Sequence, residues 1–154
     1  MARENFKSST NPYHYALHCI GGKWKMTILH EIYTFGKIRF NQTLKVLPIS
    51  EKVLSQQLKE LLEDGLVARI VDDSTFPPTI DYMLTDSGEE LIPALDIFFI
   101  WSIRQMKERG VEIDTDSYTV HTDDRYMDAL RDVLGADFSP PADAAPKRRQ
   151  RNGR

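Results

Sequence analysis

Between Gly65 and Thr85 the apolar residues stop recurring at three and four positions and gather in two β-rich runs, and beyond Thr85 the helical spacing returns. That change of period confines the chain to a helical domain interrupted by one hairpin. Residues 66–71 (LVARIV) and 80–85 (IDYMLT) are the β-rich runs, separated by Asp72-Asp73-Ser74-Thr75-Phe76-Pro77-Pro78, whose two prolines keep the loop extended. Upstream, Asn11-Pro12 opens a helix over 13–20 that Gly21-Gly22 ends. Trp24, Ile28 and Ile32, with Leu29 beside them, make a second helix stopped by Gly36. Ile38-Arg39-Phe40 opens a shorter one that passes through Leu44 and Leu47 and closes at Pro48. Ser50 is the expected N-cap of a helix over 50–63, with Val53, Leu54, Leu58, Leu61 and Leu62 turned inward. Downstream, Thr85 or Asp86 caps a long helix over 87–109, in which Pro93 either makes a kink or marks the true start.

A chain of 154 residues is one domain with a short appendage, here a flexible start at 1–10, a domain at 11–110, an acidic extension at 111–137 and a tail at 138–154. The extension holds one amphipathic pattern at 123–134, and the tail's Pro, Ala, Asp and Arg predict disorder. No stretch reaches the roughly 20 apolar residues of a membrane helix, and the first ten residues lack a signal-peptide core, so a cytoplasmic location with no membrane partner is expected. The single Cys19 excludes an internal disulfide and fits a reducing compartment.

The formal charge of -3 conceals an asymmetry. Residues 1–59 carry nine Lys/Arg against three acids, residues 60–110 four against eleven, residues 111–146 two against nine, and the last eight residues five against none. A basic first third is the one-sided field that phosphate binding requires, although the acidic remainder solvates its own surface.

Three helices, a hairpin and a further helix form the element order of a winged helix-turn-helix, mainly α with a small antiparallel β-hairpin. With its leucines inward, the 50–63 helix presents Glu51, Lys52, Ser55, Gln56 and Lys59 on the other side. Lysines suit phosphates, and Ser and Gln side chains both donate and accept at base edges. A rod of about 20 Å spans a major groove about 12 Å wide. Taken alone, such a helix is also what any amphipathic surface element looks like.

The blocks GGKWKMTILHEI (21–32), IRFNQTL (38–44), ISEKVLSQQLKELLEDGLVAR (49–69), PPTIDYMLTDSG (77–88) and LIPAL (91–95), with Trp101, resemble the HxlR-type winged-helix transcription regulators, relatives of the MarR group. The resemblance implies a homodimer held by the first and the long C-terminal helices, binding a pseudo-palindromic operator in double-stranded DNA through two recognition helices and wings. Tyr15, Leu95, Phe98, Phe99 and Trp101 are the expected dimerisation residues. Carried onto this sequence, the recognition helix is 50–63, with Lys52, Ser55, Gln56 and Lys59 as contacts. Arg39 opens the preceding helix to hold a phosphate, Lys23 and Lys25 add electrostatic affinity, and Ser50 and Arg69 complete the expected DNA-binding set. Two positions depart from the pattern. Members that sense oxidants carry a cysteine immediately before the N-terminal proline, where this sequence has Asn11. The wing tip carries Asp72 and Asp73, with Thr79 after the prolines, and two carboxylates facing phosphates are repelled.

Other chemistries are weighed against this. His14 and His18 share a helical face beside Cys19, fewer ligands than a zinc site uses, so no metal and no cofactor are expected. Cys19 with a nearby histidine is the one nucleophile pair, without a surrounding signature, so no enzyme is expected and Cys19 reads as a small buried hydrophobe. Phe98, Phe99, Trp101 and Tyr15 either fill the dimer interface or line a pocket for a small-molecule effector, and a winged helix that binds only protein is the further alternative.

Overall fold

Asn11 starts the described structure's first helix: its Oδ1 accepts from Tyr13 N at 2.9 Å, and Pro12 occupies the first helical position, where a missing N–H costs nothing. The computed structural model describes residues 10–112. The helix expected over 123–134, the tail from 138 and the start of the chain at 1–9 lie outside the described residues. The elements in chain order are α1 (Pro12–Ile20), α2 (Lys25–Phe35), α3 (Phe40–Val46), α4 (Glu51–Glu63), β1 (Val67–Asp72), β2 (Thr79–Leu84) and α5 (Asp86–Glu108).

Contacts divide the chain into two units, Met1–Ile92 and Pro93–Arg154. In the first, α2 packs on α4 and β2, and α4 packs on α3 and β1. The period-3.6 stripes are the reason: Ile28, Leu29 and Ile32 of α2 and Leu54, Leu58 and Leu61 of α4 are buried, joined by Ile49, Leu66 and Val67. Truncating any one of these leucines or isoleucines to alanine costs about 2–5 kcal/mol. Gly36 ends α2 with φ 78°, a left-handed conformation that glycine adopts without a Cβ penalty.

β1 and β2 pair antiparallel, with Val67 opposite Leu84 and Asp72 opposite Thr79. Ile38 does not open a helix as its sequence suggested. It forms an isolated bridge to Tyr82, giving and receiving backbone hydrogen bonds of 3.0 and 2.9 Å, so α3 starts only at Phe40. A β-branched residue between Lys37 and Arg39 thus becomes the third line of the wing. The base of the wing is locked to α5. Thr85 Oγ1 donates to the Gly65 carbonyl at 2.6 Å and accepts from Gly88 N at 3.1 Å, acting as the helix cap. Gly88 sits so close that a Cβ there would lie 2.1 Å from the Leu66 carbonyl oxygen.

Of α5, the second unit holds the residues from Pro93 onward. Pro93 is not the start of α5, which begins at Asp86; it lies inside the helix, where it lacks a backbone N–H to donate. Leu95 and Asp96 are buried, whereas Ile97, Phe98, Ile100 and Trp101 are exposed.

Candidate nucleic-acid interface

Ser50 sets the orientation of α4: its Oγ accepts from Val53 N at 3.3 Å, and Glu51 places a negative charge on the helix's positive end. Because Leu54, Leu58 and Leu61 take the underside, Lys52, Ser55, Gln56 and Lys59 all emerge exposed. Gln56 Nε2 donates to Glu60 Oε1 at 2.9 Å, one turn along. Lys59 Nζ lies 3.8 Å from Glu63 Oε1, an exposed i,i+4 pair that holds its lysine only loosely.

Lys25 is the correction among the expected phosphate contacts. It is 1% exposed, its Nζ lying 2.7 Å from Glu60 Oε2 and 3.3 Å from the His18 carbonyl oxygen. The sequence pattern shows a lysine at the start of an amphipathic helix, and only the packing of α2 on α4 turns it inward. Lys23, its neighbour but one, is exposed and stands 5.5 Å over the Trp24 ring.

Arg39 reaches back to the wing. Its Nε donates to Asp81 Oδ1 at 2.6 Å, and Lys37 Nζ donates to Asp81 Oδ2 at 2.6 Å. The Arg39 and Lys37 hydrogen bonds hold the Asp81 carboxyl below the usual carboxylate range, and the same contact raises Arg39 above its ordinary value. One of five guanidinium N–H donors is used in this way, and the Arg39 side chain is 39% exposed, so others still face outward. Lys37 and Asp81 were not singled out from sequence: an aspartate inside IDYML reads as an outward strand position, and its burial follows from two cations brought to it by the α2–α3 turn.

Arg69 is exposed on β1, across from Tyr82. It lines a cleft of about 330 Å³ between α4 and the hairpin, with Ser55, Lys59, Phe40 and Tyr82. At the wing tip, the Asp72 carboxylate accepts from both the Ser74 N–H and its hydroxyl, and these bonds lower its pKa. The tip therefore stays anionic, with Phe76 exposed beside it.

Elsewhere, Tyr15 is exposed in the first unit and Phe98 and Trp101 in the second, where Phe99 is half-buried. Leu95, expected to face a partner, is already buried within the single chain at 7% exposure. A hydrogen bond with Cys19 pushes the Tyr15 phenol above its usual value, and Cys19 is buried. His18 Nε2 pairs with Asp64 Oδ1 at 3.1 Å, whereas His14 is exposed. Among the described residues no three His, Cys, Asp or Glu side chains gather around a common point, and no helix is long and apolar enough to cross a membrane.

The sequence pattern of the HxlR-like helix-turn-helix family matches residues 19–110. The uncharacterised HTH-type transcriptional regulator YdzF of Bacillus subtilis is 40% identical over 100 residues, covering 64% of this chain and 91% of its own length. Another B. subtilis regulator of that type, YtcD, is 42% identical over 86 residues, 55% of this chain and 67% of its own. The solved structure of ytcD, 36% identical, superposes with a TM-score of 0.59 over 64% of this chain and 99% of that one. The redox regulator HypR in its oxidized form, also 36% identical, gives 0.57 over 61% and 96%.

Proposed function

This chain belongs to the HxlR-like helix-turn-helix family, and from that premise we propose that it is a homodimeric regulator of transcription that reads a pseudo-palindromic operator with α4 in the major groove. The family relatives are transcriptional regulators of the HTH type, which supports DNA as the partner. The observation that carries the reading is the outer face of α4, where Lys52, Ser55, Gln56 and Lys59 are exposed above a fully buried leucine underside on a capped helix. Ser55 and Gln56 read base edges. Lys52, Lys59, Lys23 and the free donors of Arg39 neutralise phosphates, with Arg69 at the wing. The anionic wing tip, by contrast, stays off the phosphates, so affinity comes mainly from α4 and the α2–α3 turn.

Dimerisation rests on exposed apolar side chains within each unit: Tyr13, Tyr15 and Leu17 on α1, and Ile97, Phe98, Ile100 and Trp101 on α5. A second copy is the occupant that the dyad symmetry of an operator calls for. Leu95, 7% exposed in the single chain, is not among these exposed side chains.

Gel shifts against cognate and random duplexes test the assignment. Gln56→Ala costs about 1–3 kcal/mol on the cognate site and little on random DNA, while Lys59→Ala weakens both and reduces the salt slope by about one unit. Equal loss on both duplexes in Gln56→Ala would remove the base-reading role.

A further inference from the structure

Gln56 does not stand free on α4. Its Nε2 donates to Glu60 Oε1 at 2.9 Å, and the other oxygen of that carboxylate, Oε2, lies 2.7 Å from the Nζ of Lys25. The side chains of Lys25 and Glu60 are 2% and 15% exposed, so this carboxylate is fixed from beneath while Gln56 remains at the surface. A lysine ammonium only donates and a carboxylate only accepts. The direction of every bond along Lys25, Glu60 and Gln56 is therefore set by chemistry, and the Gln56 amide has one allowed orientation.

Resting on the reading of α4 as the helix that meets the duplex, we infer that Lys25 and Glu60 are positioning residues that make Gln56 specific for adenine. The Gln56 N–H trans to the amide carbonyl is the one directed at Glu60, because the cis N–H would bring Oε1 against the carboxylate charge. Oε1 and the cis N–H are then left side by side, an acceptor next to a donor, facing away from Glu60. In the major groove that pair complements the N6 donor and N7 acceptor of adenine. A freely turning amide would equally present its NH2 to the two acceptors of guanine, and the carboxylate removes that option. Lys25 has a second effect: it neutralises an acid that would otherwise stand behind the reading face and repel phosphates.

The test is selection of bound duplexes from a randomised pool by the full chain, comparing wild type, Gln56→Ala and Glu60→Gln, with thermal melting to confirm folding. Wild type enriches an adenine at one position of each half-site by roughly tenfold or more over guanine, and Gln56→Ala loses the preference there. In Glu60→Gln the new amide turns its oxygen to Lys25 and its NH2 to Gln56. Gln56 must then accept with Oε1 and show its own NH2 to the groove, so the preference at that position moves from adenine to guanine. A merely structural role for Glu60 would weaken all sites without exchanging bases. An enriched site whose adenine preference survives Glu60→Gln overturns the inference and leaves the reading of α4 intact. A wild type that enriches nothing overturns that reading and the inference with it. If Glu60→Gln does not fold, the base lost in Gln56→Ala decides: adenine supports the inference and any other base overturns it.

Discussion

Two carboxylate-centred clusters in the first unit have nearly the same bond lengths and differ in the exposure of their cations. Lys25 meets Glu60 at 2.7 Å with side chains 2% and 15% exposed, while Lys37 and Arg39 meet Asp81, itself 11% exposed, at 2.6 Å with the cations 51% and 39% exposed. Distance and carboxylate burial therefore say little about what each pair does, and the exposure of the cation decides. The buried Lys25 cannot leave its carboxylate without stranding its own charge in a low dielectric. At the surface, water and salt stand ready to replace the partner, so Lys37 and Arg39 can exchange a carboxylate for a phosphate. The first cluster fixes α4 from beneath, and the second keeps positive charge at the surface of the α2–α3 turn.

The two clusters differ most in what the loss of Lys25 would do. Lys25→Ala leaves the half-buried Glu60 without its cation and lowers the free energy of unfolding by about 3–5 kcal/mol, read from urea denaturation. Replacing both partners by apolar residues, Lys25→Met with Glu60→Leu, restores most of that loss, since the cost lies in the unpaired charge. A loss below about 1 kcal/mol in Lys25→Ala would place the pair with surface ion pairs and erase the distinction.

The same residues show how far a sequence can be read. Caps, stripes and stops are local, so Asn11, Ser50, Gly36, Thr85 and the leucines of α4 were legible within a few residues of each element's end. The exposed set on α4 was legible for the same reason, because burying one face of an amphipathic helix fixes the other. What failed was tertiary. Lys25 and Lys23 look alike in a string, and only the approach of α4 buries one and not the other. Ile38 satisfies a helical pattern as well as a strand, and its pairing with Tyr82 depends on a residue more than forty positions away. The role of Asp81 is not legible in the string, because strand position says which side of a sheet a residue takes and not which charges wait there.

The exposed cluster gives a smaller effect of opposite sign. In Asp81→Asn, Lys37 and Arg39 lose their fixed competitor, so affinity for any duplex rises and the slope of log K against log salt steepens by about one unit. Titrating cognate and random fragments across a range of salt concentrations measures it. An unchanged slope would mean that these cations are held no less firmly than Lys25 and that exposure does not free them.

A still smaller difference between the clusters emerges with pH. Asp81 has its carboxyl held low, first by the Arg39 hydrogen bond and then by Lys37, so its folded pKa lies below the unfolded value near about 3.9. A group depressed in this way contributes stability that is fully present above the unfolded pKa and disappears as pH falls through the folded one. Wild type should therefore exceed Asp81→Asn in urea midpoint at about pH 6, lose that advantage as the solution is taken below about pH 4, and meet the variant once Asp81 is protonated. Asp72, lowered chiefly by its bonds from Ser74, is present in both proteins, so only its weaker repulsion by Asp81 enters the difference. Convergence of the two curves marks an ion pair open to solvent and to exchange. An advantage that persists undiminished to the lowest pH would show that Asp81 stabilises the wing by packing alone, and the two clusters would then differ in kind rather than in exposure.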